Sequence, residues 1–380
     1  MNLNSKLIHG GVDGDKVTGA VNVPVYLTST YKQPRFGENL GYEYSRTGNP
    51  TREAVEKLIA DLENGVRGFA FASGMAAITA VLNLFKSGDK ILINDNLYGG
   101  TFRVIDKIFS NFNLSYEVVK DFNNYDFSSV DKSVKAVIIE TPTNPLLTIT
   151  DLEKVSKVAK EAGLLTIVDN TFMTPYLQNP LDFGVDIVVH SATKYLGGHS
   201  DTVAGLVVVN SEELGERLHF IQNSTGGVLP PFDSYLLIRG IKTLSVRLDR
   251  HLENAKAIVE FLQGQDAIEK IYYPGIKGHP GYEINKKQAR GAGAVISFTL
   301  KESYDFKKFI DSLELITFGE SLGGVESLLC HPATMTHAAL PEEARKALGI
   351  NDRLLRLSVG IEDKNDLIDE IRRAIENSRK

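Results

Sequence analysis

The sequence predicts an α/β fold built on a mostly parallel central sheet with helices on both faces, followed by a smaller α+β unit. Short β-rich runs at 68–72, 90–94, 136–140, 164–169, 186–190 and 206–209 alternate with helical segments, the pattern of strands joined by crossover helices. The chain has 380 residues and a mass of 41.8 kDa. That is enough for one large core and a second, smaller one.

The elements are justified in order. Residues 1–50, rich in Gly, Pro, Thr and Tyr and with little periodicity, read as an extended arm lying on another surface. Residues 51–245 form the large α/β domain. Its logic shows at the helix starting near Thr150 and Asp151: a capping side chain, Glu153 in the first turn, Leu152, Val155, Val158 and Ala159 on one face, then Gly163 as stop. An amphipathic stretch from about 234 to 264 links it to a C-terminal α+β domain at 246–380, where 294–300 and 355–359 read as strands.

Composition removes several function classes. Hydrophobic residues make up 42% and charged residues 24%, as in ordinary globular proteins, so disorder is not expected. Forty-two basic against 48 acidic side chains give a net charge of −6, without a basic run that could follow a phosphate backbone; no nucleic acid partner is expected. Residues 1–11 carry no apolar leader, and no apolar stretch is long enough to span a bilayer, so no membrane is expected and the cytoplasm is the expected compartment. The single cysteine, Cys330, has no disulfide partner and reads as a small apolar residue. His190, His199 and His219 lack the spacing that puts two ligands on one helix face, so no metal site is expected.

Three segments carry chemistry. Residues 186–200, Asp-Ile-Val-Val-His-Ser-Ala-Thr-Lys-Tyr-Leu-Gly-Gly-His-Ser, begin as a buried strand and end in a glycine turn, which puts Lys194 past the strand's carboxyl end, where open α/β sheets bind ligands. A partly desolvated lysine there keeps the free amine that carbonyl chemistry needs. Ser191 and Thr193 add hydroxyls for an anion. At the end of the preceding apolar run, Asp169 calls for a cationic partner, since an unpaired buried carboxylate is costly. A protonated pyridine nitrogen would be such a partner and would keep the ring electron-accepting; a turn or N-cap aspartate is the plainer alternative. In Phe71-Ala-Ser-Gly-Met-Ala-Ala77 a strand runs into an apolar helix, placing the amides of Gly74 and Met75 where a phosphate binds. Tyr98, after the next strand, can stack on a flat cofactor or simply pack.

These segments, with Tyr42-Glu-Tyr-Ser-Arg-Thr-Gly-Asn-Pro-Thr51, Glu140-Thr-Pro-Thr-Asn-Pro145, Asp169-Asn-Thr-Phe172, Glu320-Ser-Leu-Gly-Gly-Val-Glu-Ser327 and Leu355-Arg-Leu-Ser-Val-Gly-Ile-Glu-Asp363, resemble the cystathionine family of pyridoxal-phosphate enzymes of Cys/Met metabolism. The likeness runs over essentially the whole chain. It implies the aspartate-aminotransferase-like fold (fold type I) and pyridoxal 5'-phosphate held as a Schiff base on Lys194. Asp169 would meet the pyridine nitrogen, Tyr98 the ring, and Gly74, Met75, Ser191 and Thr193 the phosphate. Tyr44 and Arg46 would reach the phosphate of a neighbouring subunit's cofactor in a homotetramer made of two active dimers. Arg356 would grip the substrate α-carboxylate with Asn144 beside it, Ser321 would position Lys194, and Arg103 and Glu320 would lie near the substrate's distal end.

The resemblance also implies a sulfur amino acid substrate. Lys194 would move the α-proton and Tyr98 would serve as acid for the departing thiol. Arg103 and Glu320 suit the γ-lyase and γ-synthase branches, so the expected activity is cystathionine γ-lyase, with possible β-lyase and hydrogen-sulfide-forming side activity. Cystathionine γ-synthase is the nearest rival and cystathionine β-lyase a further one. Gly100, where methionine γ-lyases typically carry cysteine, demotes that branch.

Overall fold

The computed structural model describes residues 1–338 and 342–380. Seven strands form the large sheet: β1 (Arg67–Phe71), β2 (Lys90–Asn94), β3 (Ser115–Val119), β4 (Val134–Glu140), β5 (Leu165–Asp169), β6 (Ile187–Ser191) and β7 (Gly205–Val209), in the order β1-β7-β6-β5-β4-β2-β3. Only β7 runs against the rest, pairing antiparallel with both β1 and β6. The mostly parallel sheet is therefore as expected, and the carboxyl ends of β1, β2, β4, β5 and β6 share one edge. β3 carries no apolar run, which is why its sequence shows no strand signal; it survives as an exposed edge strand paired only to β2.

Side chains alternate between two apolar layers. Ile91, Ile93, Ile138, Ile167, Ile187 and Val189 face one core, with the helix Gly74–Leu82. Leu92, Val137, Ile139, Val168 and Val188 face the other, with the helix Leu152–Glu161. That second helix starts as the sequence predicts, with Asp151 accepting the Lys154 amide at 3.0 Å.

A second sheet holds β8 (Ile268–Tyr272), β9 (Val295–Leu300), β10 (Thr317–Phe318), β11 (Leu328–Cys330) and β12 (Leu354–Ser358), in the order β10-β11-β12-β9-β8. The amphipathic stretch before it is two helices, Pro231–Ile241 and Leu244–Gln263, broken at Lys242 and Thr243. Arg247 fastens that break: its guanidinium donates to the Gly240 carbonyl at 2.8 Å and to the Tyr195 carbonyl at 2.8 Å, one residue past Lys194. Among the described residues no helix is long and apolar enough to cross a membrane.

Candidate active site

Where the parallel strands end, a cavity of about 440 Å³ opens between the two sheets. The large sheet contributes Ser73, Gly74 and Met75 after β1, Tyr98 and Arg103 after β2, Glu140 and Asn144 at β4, Asp169 and Thr171 at β5, and Ser191, Thr193 and Lys194 at β6. The smaller unit contributes Glu320, Ser321, Met335, Thr336 and Arg356. Twelve of the fourteen residues singled out in the sequence therefore meet at one place.

Lys194 sits in a turn held at several points. The Lys194 amide donates to the Ser191 carbonyl at 3.2 Å, and the Gly198 amide to the Lys194 carbonyl at 2.8 Å. Gly198 adopts φ +72°, and a Cβ there would lie 2.1 Å from the Arg247 guanidinium, so glycine is required. Burial pushes the Lys194 ammonium down to about 8; the neighbouring Arg356 cation adds to the fall and Glu320 opposes it. Its Nζ donates to Ser321 Oγ at 2.7 Å. Ser321 itself adopts φ +97°, a left-handed conformation that a non-glycine residue holds only under constraint.

Two carboxylates stand side by side, Glu140 and Asp169 being register partners on β4 and β5. Burial raises the Asp169 carboxyl, while the Thr171 amide, bonded at 3.0 Å, and His190 oppose that rise. Glu140 is raised well above the ordinary range, by burial first and by Asp169 second. The pair is costly unless a cation joins it.

The helix Gly74–Leu82 begins beside Ser191. Ser73 caps it by accepting the Ala76 amide at 3.0 Å, so the Gly74 and Met75 amides lie in a first turn that has no intrahelical acceptors for them. A Cβ on Gly74 would come 3.0 Å from the Ser191 Cβ, which explains glycine at that approach. Thr193 Oγ1 lines the cavity while exchanging bonds with the Ala204 carbonyl (3.3 Å) and amide (3.0 Å).

Arg356, in the middle of β12, is 2% exposed. Its guanidinium donates to Asn144 Oδ1 at 3.0 Å and to the Ser321 carbonyl at 2.7 Å, while its buried Nε has no acceptor. An orphaned donor on a buried cation suits an anionic ligand group. Tyr98, Arg103 and Glu320 stand at the exposed mouth. Tyr98 leans over Gly100, where a Cβ would approach its ring to 2.5 Å.

Tyr44 and Arg46 do not line the cavity of their own chain. Arg46 packs over the Tyr44 ring at 5.5 Å and donates to the Asn223 carbonyl near the end of the helix Glu212–Thr225. Cys330 is buried next to Arg356 across the β11–β12 pair. His190 is tied to buried Glu63 at 2.7 Å. Glu140, Met335 and Thr336 are cavity residues to which sequence reasoning gave no role. An acid closing the apolar run 136–139, just as Asp169 closes 165–168, was the signal available for Glu140.

These groups fit pyridoxal phosphate: an amine titrating near 8 for its aldehyde, the Asp169 carboxyl for its ring nitrogen, a helix N-terminus for its phosphate, and an aromatic ring for stacking. Fold and cavity together define a fold type I enzyme that works through this cofactor. The chain belongs to the family of Cys/Met metabolism PLP-dependent enzymes, whose model matches residues 4–376. It is 54% identical to the cystathionine gamma-lyase of Bacillus subtilis strain 168, over 99% of this chain and 100% of that one. It is also 54% identical to a cystathionine beta-lyase of Lactococcus lactis subsp. cremoris strain MG1363, over 98% and 99% of the two chains. Among solved structures, cystathionine gamma-lyase from Lactobacillus plantarum complexed with L-serine superposes with a TM-score of 0.97 at 49% identity, covering 100% of this chain and 99% of that one.

Proposed function

We propose that the chain catalyses the α,γ-elimination of L-cystathionine, consuming water and releasing L-cysteine, 2-oxobutanoate and ammonia. The observation that carries this reading is the charge layout of the cavity. Arg356 and Asn144 form one buried anion-binding end, and Arg103 and Glu320 bring charges of both signs to the exposed mouth. Cystathionine has an amino-acid group at each end. A buried guanidinium suits the reacting carboxylate, and an exposed arginine and glutamate suit the distal carboxylate and ammonium.

When bound, pyridoxal phosphate supplies an electron-withdrawing ring that spreads the charge left by loss of the α-proton. The Gly74 and Met75 amides, Ser191 and Thr193 would hold its phosphate, and Asp169 would pair with its ring nitrogen. Lys194 would hold the cofactor aldehyde; its free Nζ moves the α-proton off Cα and then removes a Cβ proton, whose electron pair forms the Cβ–Cγ double bond as the Cγ–S bond breaks, with Ser321 Oγ setting its direction. The Tyr98 hydroxyl delivers a proton to the departing sulfur. Arg356 fixes the α-carboxylate so that the Cα–H bond points toward Lys194.

The arm and the division of the chain belong to the same reading: 1–50 serves a neighbouring subunit, 51–245 carries the cofactor and 246–380 closes the site. Val17, Val21, Phe36 and Leu40 in the arm are at least 80% exposed, an apolar face suited to burial in a homotetramer in which Tyr44 and Arg46 reach the adjacent cofactor phosphate.

A second reading, α,β-elimination to homocysteine, pyruvate and ammonia, is favoured by the equal identity to a β-lyase relative. Product analysis separates the two and also tests γ-synthase activity. Cystathionine should give 2-oxobutanoate and cysteine; pyruvate and homocysteine as main products would establish the β-lyase. Turnover confined to O-acylhomoserine plus cysteine would establish the synthase.

A further inference from the structure

Glu140 lines the cavity, yet the chemistry above gives it no task. It closes β4 at 5% exposure. Its two oxygens are spent on two different loops: Oε2 accepts the Tyr98 amide at 2.8 Å, and Oε1 accepts the Asn144 amide at 3.1 Å. Its own amide donates to Asn94 Oδ1 at 2.7 Å, which locks the end of β4 to the end of β2. From Asn144 the connection continues, because Asn144 Oδ1 takes a bond from the Arg356 guanidinium at 3.0 Å.

We propose that Glu140 is a positioning residue that ties the aromatic wall at Tyr98 to the carboxylate-binding end at Asn144 and Arg356, so that cofactor seating and substrate grip are set together. The inference rests on the pyridoxal-phosphate reading of the cavity. Backbone amides of loops at a ligand site need fixed acceptors if the loops are to hold side chains to a fraction of an ångström. A carboxyl group reaches both amides at once. Burying it beside Asp169 carries a large desolvation penalty, which a residue with only a packing role would not need to bear.

The isosteric Glu140→Gln tests this, because a carboxamide has one acceptor oxygen and must turn its NH2 toward one of the two amides. Pyridoxal phosphate affinity, read by titrating the apoprotein and following visible absorption, should weaken about tenfold, the effect of losing one buried hydrogen bond. The KM for cystathionine should rise by a similar factor, with kcat changing less. Combined with Asn144→Ala, the two KM effects should not multiply, because both act through the Arg356 guanidinium. Glu140→Asp, which keeps the carboxyl group but is too short to span both loops, should reproduce the defect and covers the case in which the glutamine variant does not fold. Unchanged cofactor affinity and KM in either variant, or fully multiplicative effects with Asn144→Ala, would overturn the proposal. Failure of the unaltered protein to bind pyridoxal phosphate would instead overturn the reading beneath it.

Discussion

Replacing Arg356 with lysine keeps a cation in the cavity and removes the planar fork. Arg356 is 2% exposed and bonded through its terminal nitrogens to Asn144 Oδ1 and the Ser321 carbonyl, with Nε unpaired. A lysine ammonium cannot hold those two oxygens and also present two parallel donors to a carboxylate. The loss is one to two charge-assisted hydrogen bonds, about 2–4 kcal/mol, which corresponds to a KM increase of roughly thirtyfold to several hundredfold. Because the α-carboxylate is bound before and during the chemical step, most of the effect should appear in KM. Steady-state kinetics with cystathionine measure it, and the visible absorption of the bound cofactor reports that the variant is loaded. A loaded variant whose KM stays within threefold of the unaltered protein would refute the placement of the substrate carboxylate on Arg356.

Three further outcomes are expected. Lys194 titrates near 8, so the free amine expected to capture the cofactor aldehyde disappears as pH falls; attachment to the apoprotein should be about a hundredfold slower at pH 6 than on the plateau above about 9, and a rate still climbing at pH 10 would contradict this. The raised Asp169 carboxyl destabilises the folded apoprotein progressively as pH rises through its folded-state value; Asp169→Asn should therefore raise the apoprotein Tm at pH 8 by about 1–3 °C while weakening cofactor affinity, and a fall in both would argue that the aspartate is only structural. If Arg46 serves the neighbouring subunit's cofactor as proposed, Arg46→Ala chains mixed with Lys194→Ala chains should regain some active sites in hybrid dimers; no regained activity would place the whole site within one chain.

Much of the fold was legible because the central strands are buried on both faces and read as continuous apolar runs between helices with ordinary caps. β3 was not, because an exposed edge strand such as Ser-Tyr-Glu-Val-Val needs no apolar signature. The break at Lys242 and Thr243 was also hidden: amphipathic periodicity continues through it, and the interruption is held by tertiary bonds from Arg247. In the site, residues beside strand ends could be placed from sequence, since a strand end followed by glycine or a helix start fixes where a side chain emerges. Met335 and Thr336 come from an irregular segment of the smaller unit, which only folding brings across to the cavity. Arg356 carried no charge signal of its own in sequence, being one cation inside an apolar strand; its meaning lies in its burial and in the unpaired Nε. Tyr44 and Arg46 lie away from the cavity of their own chain.

The account turns on Lys194. Borohydride reduction of the cofactor-loaded protein followed by peptide mass analysis should place one pyridoxyl-phosphate group per chain on the peptide containing Lys194, and Lys194→Ala should take up none while keeping its fold. Label on another lysine, or a Lys194→Ala variant that still carries reducible cofactor, would contradict it.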